Sequence, residues 1–405
     1  MRVHNKKKKN LGRLVLATLW VSYLTLYLNR RNVSVILPSL REWGLSYSEA
    51  GLLVSAFFAA YAAMQVPAGW LADVKGGRLA VLCGNTVAML ASIASGLSPS
   101  YAVLLASRFL CGAGQGLVWP ASSKLVAGWF PKNARGAAMG LLTSSVAIGS
   151  FLALVLAGVV LERMGWQMTF IVPAVILAGA TLLILLNVRD PQEDGGSGKV
   201  RRRGFRSQLI AVLGSKAVKY TAVGYFLWKF SFEGMSYWLP SYFMETYSVP
   251  PGLTGFLSGV ILLTGVFTMP LGGWLSDRLG NRALVIMASL AVSGVLLSMA
   301  PYVHGWLEAL VLLAAAALVL QLSEGVYFVI PMDDLSEAAG TSVGVINLGG
   351  QLGTMLAPWI AGMLLDVWQN YTPVLTMFAA AALLGMIPLI PVLHTVNVRR
   401  RQANP

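Results

Sequence analysis

Twelve apolar stretches, each long enough to cross a membrane, dominate this sequence of 405 residues. A helix needs roughly 20 apolar residues to span a hydrocarbon core of about 30 Å. Because a bilayer offers the backbone no hydrogen-bond partners, such a chain is expected to fold as a bundle of membrane helices. The stretches are 14–38, 50–72, 79–98, 101–126, 136–160, 167–188, 220–243, 253–276, 283–303, 306–331, 341–365 and 372–395.

Composition and charge exclude several classes of protein. Only 11% of the residues are charged, against about 25% in a soluble domain. The net charge of +14 comes from short basic clusters between apolar stretches, which argues against a nucleic-acid partner. Two cysteines and three histidines form no pattern typical of a metal site or a disulfide. The sequence therefore predicts no metal, no cofactor and a lipid bilayer as surroundings.

The basic clusters also predict the orientation of the chain. They fall on one side of the membrane, whereas the other side holds only Arg41 and Arg163. Basic loops are typical of the cytoplasmic side, so both termini are expected there, in a multi-pass protein of the cell (plasma) membrane. The first stretch is too long for a signal peptide and is interpreted as a retained span.

The two halves of the chain repeat each other. At an offset of 204, the sequence from Gly69 to Asp73 returns from Gly273 to Asp277, and glycines of the fifth stretch return in the eleventh. A polar, glycine- and arginine-rich stretch separates the halves and is typical of a flexible linker. We expect a six-helix bundle at 1–188, a cytoplasmic linker at 189–219 and a second bundle at 220–405, with a binding site between the bundles. Nothing in the sequence requires more than a monomer.

The repeated loop carries a family resemblance. The pattern G-x-L-x-D-x-x-G-x-R occurs at 69–78 and again at 273–282. This pair resembles the signature of the major facilitator superfamily. The resemblance implies an all-α membrane protein, with twelve transmembrane helices in two pseudo-symmetric six-helix bundles, that works as a secondary active transporter. We interpret both copies as a gating motif, rather than as simple basic loops with a tight turn, formed by Gly69, Asp73, Arg78, Gly273, Asp277 and Arg282.

Two further segments resemble particular branches of that superfamily. The sequence from Tyr27 to Asn32, and the fourth stretch from Arg108 to Pro120, are similar to anion:cation symporters and organophosphate:anion antiporters. The resemblance implies that Arg30 binds the anionic group of a substrate. A guanidinium suits this task because it stays protonated and can hold two oxygen atoms at once. The alternative is a structural arginine bound to backbone carbonyls or to an acid.

Other polar residues within the stretches are weaker candidates. Gln115 and Asn347 match polar positions of the resembling branches, and Tyr27 and Gln351 lie at compatible places. Arg108 is either structural or a substrate contact. Lys229 is either a second cation for the substrate or the partner of Glu233, four residues away on one helical face.

Coupling and substrate are less sharply predicted. The symporter branch commonly has acids where this chain has Asn29 and Gln115, and neither amide carries a proton. If transport is proton symport, Glu324 or Glu233 would carry the coupling proton. If no proton is used, transport would be an exchange of substrates (antiport). The antiporter branch has an arginine where this chain has Phe232, so a sugar acid or other monocarboxylate is favoured over a phosphate ester.

Three alternatives remain open at this stage. An exporter of drugs or neutral solutes has the same fold, but it gives no reason for a cation such as Arg30 inside a span. A transporter-like nutrient sensor would signal through a cytoplasmic domain, and the polar segments are short. An enzyme is not expected, because no histidine or acid cluster with catalytic spacing occurs.

Overall fold

The computed structural model describes residues 2–191, 205–330 and 339–393, and those ranges contain helices but no strand. Two short 3₁₀ turns occur at Ala300–Tyr302 and Ile387–Leu389. The helices are α1 (Arg2–Arg31), α2 (Val33–Glu42), α3 (Tyr47–Lys75), α4 (Gly77–Gly96), α5 (Tyr101–Trp129), α6 (Lys132–Met164), α7 (Met168–Asn187), α8 (Phe205–Gly214), α9 (Lys216–Tyr247), α10 (Pro251–Leu263), α11 (Gly265–Leu279), α12 (Arg282–Met299), α13 (Trp306–Gln321), α14 (Glu324–Tyr327), α15 (Ala339–Trp368) and α16 (Thr372–Leu384).

Most of these helices are built to lie in lipid. Eleven helical segments within the described ranges are long and apolar enough to cross a membrane. They leave large apolar side chains such as Phe267 and Val367 about three-quarters exposed, which water disfavours but a bilayer does not. The predicted stretch 220–243 lies in α9, which is long enough to cross but less apolar, and which contains Lys229 and Glu233. The predicted all-α membrane architecture is confirmed.

A break in the first span positions the candidate site. α1 ends at Arg31 and α2 begins at Val33, with Asn32 between them. The side-chain amide of Asn32 donates to the Thr169 carbonyl at 2.7 Å, and that of Asn29 donates to the Pro173 carbonyl at 3.1 Å. Both asparagines thus bind the backbone of the first two turns of α7. They fix the last turn of α1, where Arg30 lies.

The chain forms two compact units, which we treat separately. The first contains Met1–Leu45, Leu52–Gly198 and Val249–Leu263; the second contains Ser46–Gly51, Lys199–Ser248 and Thr264–Pro405. The bundle boundaries at 1–188 and 220–405 stay a prediction.

The expected flexible linker, 189–219, is helical in part. α8 and the start of α9 lie within it, and Val212 of α8 is fully buried. The segment contains an apolar run from Leu209 to Leu213, which supplies the buried side chain of Val212. The polar residues around this run led to the prediction of a linker. Residues 192–204, like Arg399–Arg401, lie outside the described residues.

Two close helix contacts are related to each other by the sequence repeat. Gly51 of α3 lies on the backbone of Pro358 of α15, and a Cβ atom at Gly51 would overlap the Pro358 carbonyl oxygen. Gly255 of α10 lies in the same way on Leu154 of α6. The two pairs are related by the offset of 204: Gly255 corresponds to Gly51, and Pro358 corresponds to Leu154. The repeat is therefore present in packing as well as in sequence.

A second glycine completes each contact. Gly362 of α15 lies on the backbone of Tyr47 and Ser48 in the first turn of α3, and Gly158 of α6 lies on Pro251 in the first turn of α10. Glycine lets the backbones approach within the width of one methyl group. We call these regions the α3–α15 contact and the α6–α10 contact.

Candidate functional site

Arg30 is held at the end of α1 by neutral side chains from two helices. Its side chain is buried, with 5% of the residue exposed. Nε donates to Gln115 Oε1 of α5 at 3.1 Å, and an Nη atom donates to the Tyr27 hydroxyl, one turn earlier, at 3.1 Å. Three residues predicted independently from the sequence are thus brought into direct contact. These two neutral oxygen atoms orient the guanidinium.

Aromatic rings surround the same guanidinium. The Cζ atom of Arg30 lies 4.4 Å from the ring centre of Tyr27, 4.6 Å from that of Tyr61 and 5.4 Å from that of Phe57. Such contacts stabilise a cation by about 0.5–2 kcal/mol each, more when water is excluded. The sequence analysis missed Phe57 and Tyr61. Their spacing of four residues in the second stretch, which places both rings on one helical face, was the available signal.

Gln115 has a fixed orientation. Its amide nitrogen donates to the Leu26 carbonyl at 3.1 Å, so its oxygen faces Arg30. The amide of Asn29 is likewise used, since it donates to carbonyl oxygens of Thr25 and Pro173. The two positions at which the resembling symporters carry acids are therefore occupied here by amides in structural hydrogen bonds.

Arg108 makes contacts that fasten helices together. It is 1% exposed, and an Nη atom donates to the Asn29 carbonyl at 3.0 Å. Its Cζ atom lies 5.0 Å from the ring centre of Phe57, the ring that also lies against Arg30. These contacts hold α5 to the end of α1, which matches the structural alternative. A substrate contact by Arg108 stays a prediction.

Lys229 joins two carboxylates in the second unit. Its Nζ atom lies 3.2 Å from Glu233 Oε1 on the same helix and 2.8 Å from Glu324 Oε1 at the start of α14. The Tyr225 hydroxyl also donates to Glu324 Oε1, at 3.4 Å. Of the two alternatives open for Lys229, pairing with Glu233 is observed, and Glu324 is added to it. We call Lys229, Glu233 and Glu324 the charge triad.

Two predicted substrate residues lie on α15. Asn347 and Gln351 are half-buried and form no hydrogen bond within the described part of the chain. Between them, Gly350 packs so closely on α9 that a Cβ atom would lie 3.1 Å from Lys229 Cγ. This places the backbone beside Gln351 next to the charge triad. No contact in the described part of the chain joins Asn347 to the triad.

The two loop motifs differ in their ion pairs. Asp73 pairs with Lys124 of α5 at 3.2 Å, and Arg78 donates to the Leu185 carbonyl in the last turn of α7 at 2.7 Å. In the second copy, Asp277 pairs directly with Arg282. Gly69 and Gly273 do not mark a close helix approach within the described residues, because a Cβ atom at either would meet no described atom within 4 Å.

A cavity of about 400 Å³ lies elsewhere in the second unit. Tyr47, Tyr242, Glu245 and Tyr371 contribute to its lining. The hydroxyls of Tyr47 and Tyr371 donate to Glu245 Oε2 at 3.1 and 2.8 Å. Burial, and then the Glu245 carboxylate, raise the pKa of the Tyr371 phenol well above its usual value, so it stays a donor. None of the predicted substrate residues lines this cavity.

Comparison with known proteins decides the family. The model of the Major Facilitator Superfamily matches residues 19–358. The chain belongs to this superfamily. It is therefore a multi-pass membrane transporter, as the repeated loop motif predicted.

Individual relatives cover nearly the whole chain. It is 28% identical over 402 residues to the probable sulfoacetate transporter SauU of Cupriavidus necator, covering 94% of this chain and 93% of that protein. It is 23% identical over 407 residues to a D-galactonate transporter of Escherichia coli, covering 93% and 94%. A crystal structure of a bacterial homologue of the human lysosomal transporter Spinster, inward-facing and unoccupied, matches with a TM-score of 0.79 at 17% identity, covering 95% of each chain. That likeness shows the fold alone.

Proposed function

We propose that this transporter moves a small organic anion by alternating access, and that Arg30 binds the anionic group. The observation that carries the proposal is the buried guanidinium of Arg30, oriented by Gln115 and Tyr27 and surrounded by aromatic rings. A cation inside a membrane span costs at least about 2.5–3.5 kcal/mol on insertion scales, so it is rarely kept without a use. Binding an anion recovers that cost through charge-assisted hydrogen bonds.

The relatives support this substrate class. Sulfoacetate and D-galactonate, the compounds in their names, are both small organic anions with a carboxylate. Within the class we propose a sugar acid or another carboxylate rather than a phosphate ester. Phe232, at the position where the resembling antiporters have a second arginine, is buried and packs on the ring of Trp228, so it offers no charge to a phosphate dianion.

The membrane, the orientation, the oligomeric state and the roles of the α15 residues are also proposals. We place the protein in the cell membrane with both termini in the cytoplasm, because its basic clusters share one side of the predicted topology. We propose that it acts as a monomer, as a transporter and not an enzyme. Asn347 and Gln351 of α15 would orient polar groups of the substrate.

Ligand-dependent stabilisation tests the substrate class. We expect carboxylates such as D-galactonate and sulfoacetate to raise the melting temperature of the purified protein, since a ligand that binds only the folded state stabilises it. At a concentration about 100 times Kd, the gain is about 2.7 kcal/mol. The matched controls are the neutral sugar D-galactose and the ester D-galactose 6-phosphate. Equal stabilisation by D-galactose, or by cationic drugs alone, contradicts the anion proposal.

The Gln115→Glu variant tests whether the anion binds at Arg30, because it changes the one side-chain group that accepts from Arg30 Nε. The new carboxylate would lie about where Gln115 Oε1 accepts from Arg30 at 3.1 Å, and would form an ion pair with the guanidinium. We expect the affinity for the anion at pH 7.5 to fall by about 10- to 100-fold, because hydrogen bonds to charged groups contribute about 1.5–3 kcal/mol. Binding curves at this pH measure the change, and an affinity that matches wild type contradicts the assigned site.

A further inference from the structure

α8 presents an apolar surface that no described part of the chain covers. The helix packs against α9 and α15, and its Val212 side chain is fully buried. Ile210 and Leu213 point away from that packing, since they are 62% and 48% exposed. Residues three apart lie on the same face of a helix, so these two side chains form one exposed strip. Apolar surroundings stabilise such a strip, because they remove its surface from water.

The place of α8 in the chain puts this strip at the membrane surface. α8 ends at Gly214 and α9 begins at Lys216, with only Ser215 between them. The Ser215 hydroxyl accepts from the Val218 N–H at 3.2 Å and so caps the first turn of α9. Because α9 crosses the membrane, the last turn of α8 lies within the length of about two residues of the depth at which that span begins. A helix at this depth has lipid headgroups and the upper parts of acyl chains around it.

The charge beside the strip is positive. Lys216 and Lys219 are exposed in the first turn of α9, three positions apart and therefore on one face. Neither pairs with an acid within the described part of the chain. No aspartate or glutamate occurs in the sequence from residue 195 to residue 232. Lysine side chains near the end of a span extend their ammonium groups to the level of the headgroups. The surface thus combines apolar contact for acyl chains with positive charge for phosphate groups.

We propose that α8 and the first turn of α9 bind anionic phospholipid of the leaflet on the basic side of the predicted topology. Ile210 and Leu213 contact the acyl chains, and Lys216 and Lys219 contact the phosphate groups. We call these four residues the lipid surface. A zwitterionic lipid offers the same acyl chains, but the ammonium in its headgroup offsets the charge of its phosphate. The lipid surface takes no part in the anion site, so the inference is independent of the proposed function.

The two lysines determine how strong the preference for anionic lipid is. A basic residue near an anionic membrane surface contributes about a factor of five in binding. Two such residues therefore give phosphatidylglycerol an advantage of about 10- to 30-fold over phosphatidylcholine. The advantage should shrink at about 1 M salt, because the screening length falls to about 3 Å there.

A fluorescent label at position 210 measures where α8 lies. The Ile210→Cys variant, in a Cys83→Ser background that removes the exposed native thiol, receives an apolar bimane group, and the buried Cys111 stays unlabelled. In nanodiscs of equal parts phosphatidylcholine and phosphatidylglycerol, lipids brominated high on the acyl chain should quench it. Iodide in the water should quench it several-fold less than it quenches a label at Ser100→Cys, in the exposed turn before α5. Equal quenching by iodide at the two positions places α8 in water and overturns the inference.

A titration with brominated lipids in detergent micelles measures the preference. Phosphatidylglycerol should quench the label at position 210 at a mole fraction about 10- to 30-fold lower than phosphatidylcholine requires. The double variant Lys216→Gln/Lys219→Gln should bring the two lipids close to equality. Lys75→Gln removes an exposed lysine from the last turn of α3, on the same basic side, and should keep the wild-type preference. Glycerol 3-phosphate has the charge without the acyl chains and should not compete.

Each remaining outcome contradicts the lipid surface. Equal binding of the two lipids by the wild-type protein overturns the inference, and so does an unchanged preference in the double lysine variant. Loss of the preference in Lys75→Gln as well shows a response to net charge alone and overturns the assigned residues. Melting temperatures near that of wild type verify that the variants fold, as expected for exposed side chains. Since no transported substrate is needed, a failure of the proposed function leaves these measurements unaffected.

Discussion

Replacing Arg30 by glutamine is expected to reduce kcat/KM for the transported anion by about 10- to 100-fold or more. The guanidinium supplies charge-assisted hydrogen bonds, each of which contributes about 1.5–3 kcal/mol, and 1.4 kcal/mol corresponds to a factor of ten. Glutamine can still contact Gln115 and Tyr27, so packing changes little. Uptake of labelled D-galactonate and sulfoacetate into liposomes measures the loss.

Two control variants separate charge from position. Arg30→Lys keeps the charge within the same rings but loses the planar fork that holds two oxygen atoms, so we expect it to fall between wild type and Arg30→Gln. Arg13→Gln removes an exposed charge from the same helix and should transport as wild type does. If Arg30→Gln transports anions normally, Arg30 is a structural residue and the anion site lies elsewhere.

The fold was predictable because lipid imposes few solutions on a long apolar stretch. Eleven of the predicted stretches reappear as apolar helical segments, and the twelfth lies in α9. Residues 205–219 were not predicted as helix, since a polar composition outweighed a short apolar run there. Family membership followed from a loop motif that occurs twice at the half-chain spacing.

The site was predictable only in part, for reasons of side-chain geometry. Sequence marked Arg30, Gln115 and Tyr27 separately, but their mutual contacts depend on how α1 and α5 pack. Phe57 escaped notice because aromatic residues in membrane helices are common and carry no charge. Lys229 was left between two roles because spacing along one helix identifies Glu233 but says nothing about Glu324, which arrives from another helix.

The glycines of the α3–α15 contact lead to the second large prediction. Gly362 lies on the backbone at Tyr47, and the Asp366 carboxylate accepts from the backbone N–H groups of Tyr47 and Ser48 at 2.7 and 2.9 Å. The carboxylate thus caps the first turn of α3, and its negative charge interacts favourably with the positive end of the helix dipole. Since α3 and α15 come from opposite halves of the repeat, we predict that alternating access separates and reforms this contact.

We expect Gly362→Leu to slow transport by about 5- to 150-fold while the protein still folds and binds anions. The larger side chain cannot enter the space at Tyr47, so the state with this contact is destabilised by about 1–3 kcal/mol, the usual cost of overpacking. That shifts a two-state population by about 5- to 150-fold toward the state with the contact open, and transport slows by up to the same factor. Labelling of a cysteine introduced at Ser48 should become faster.

Other glycines of the same helices provide matched controls for this prediction. Gly344 of α15 and Gly140 of α6 have open space where a Cβ atom would lie, so leucine there should leave transport and labelling unchanged. Gly158→Leu, the repeat equivalent of Gly362→Leu, should trap the transporter through the α6–α10 contact. If Gly362→Leu instead lowers the melting temperature and leaves the labelling rate at Ser48 unaltered, the α3–α15 contact is permanent packing. Movement between the halves must then pass through other helices.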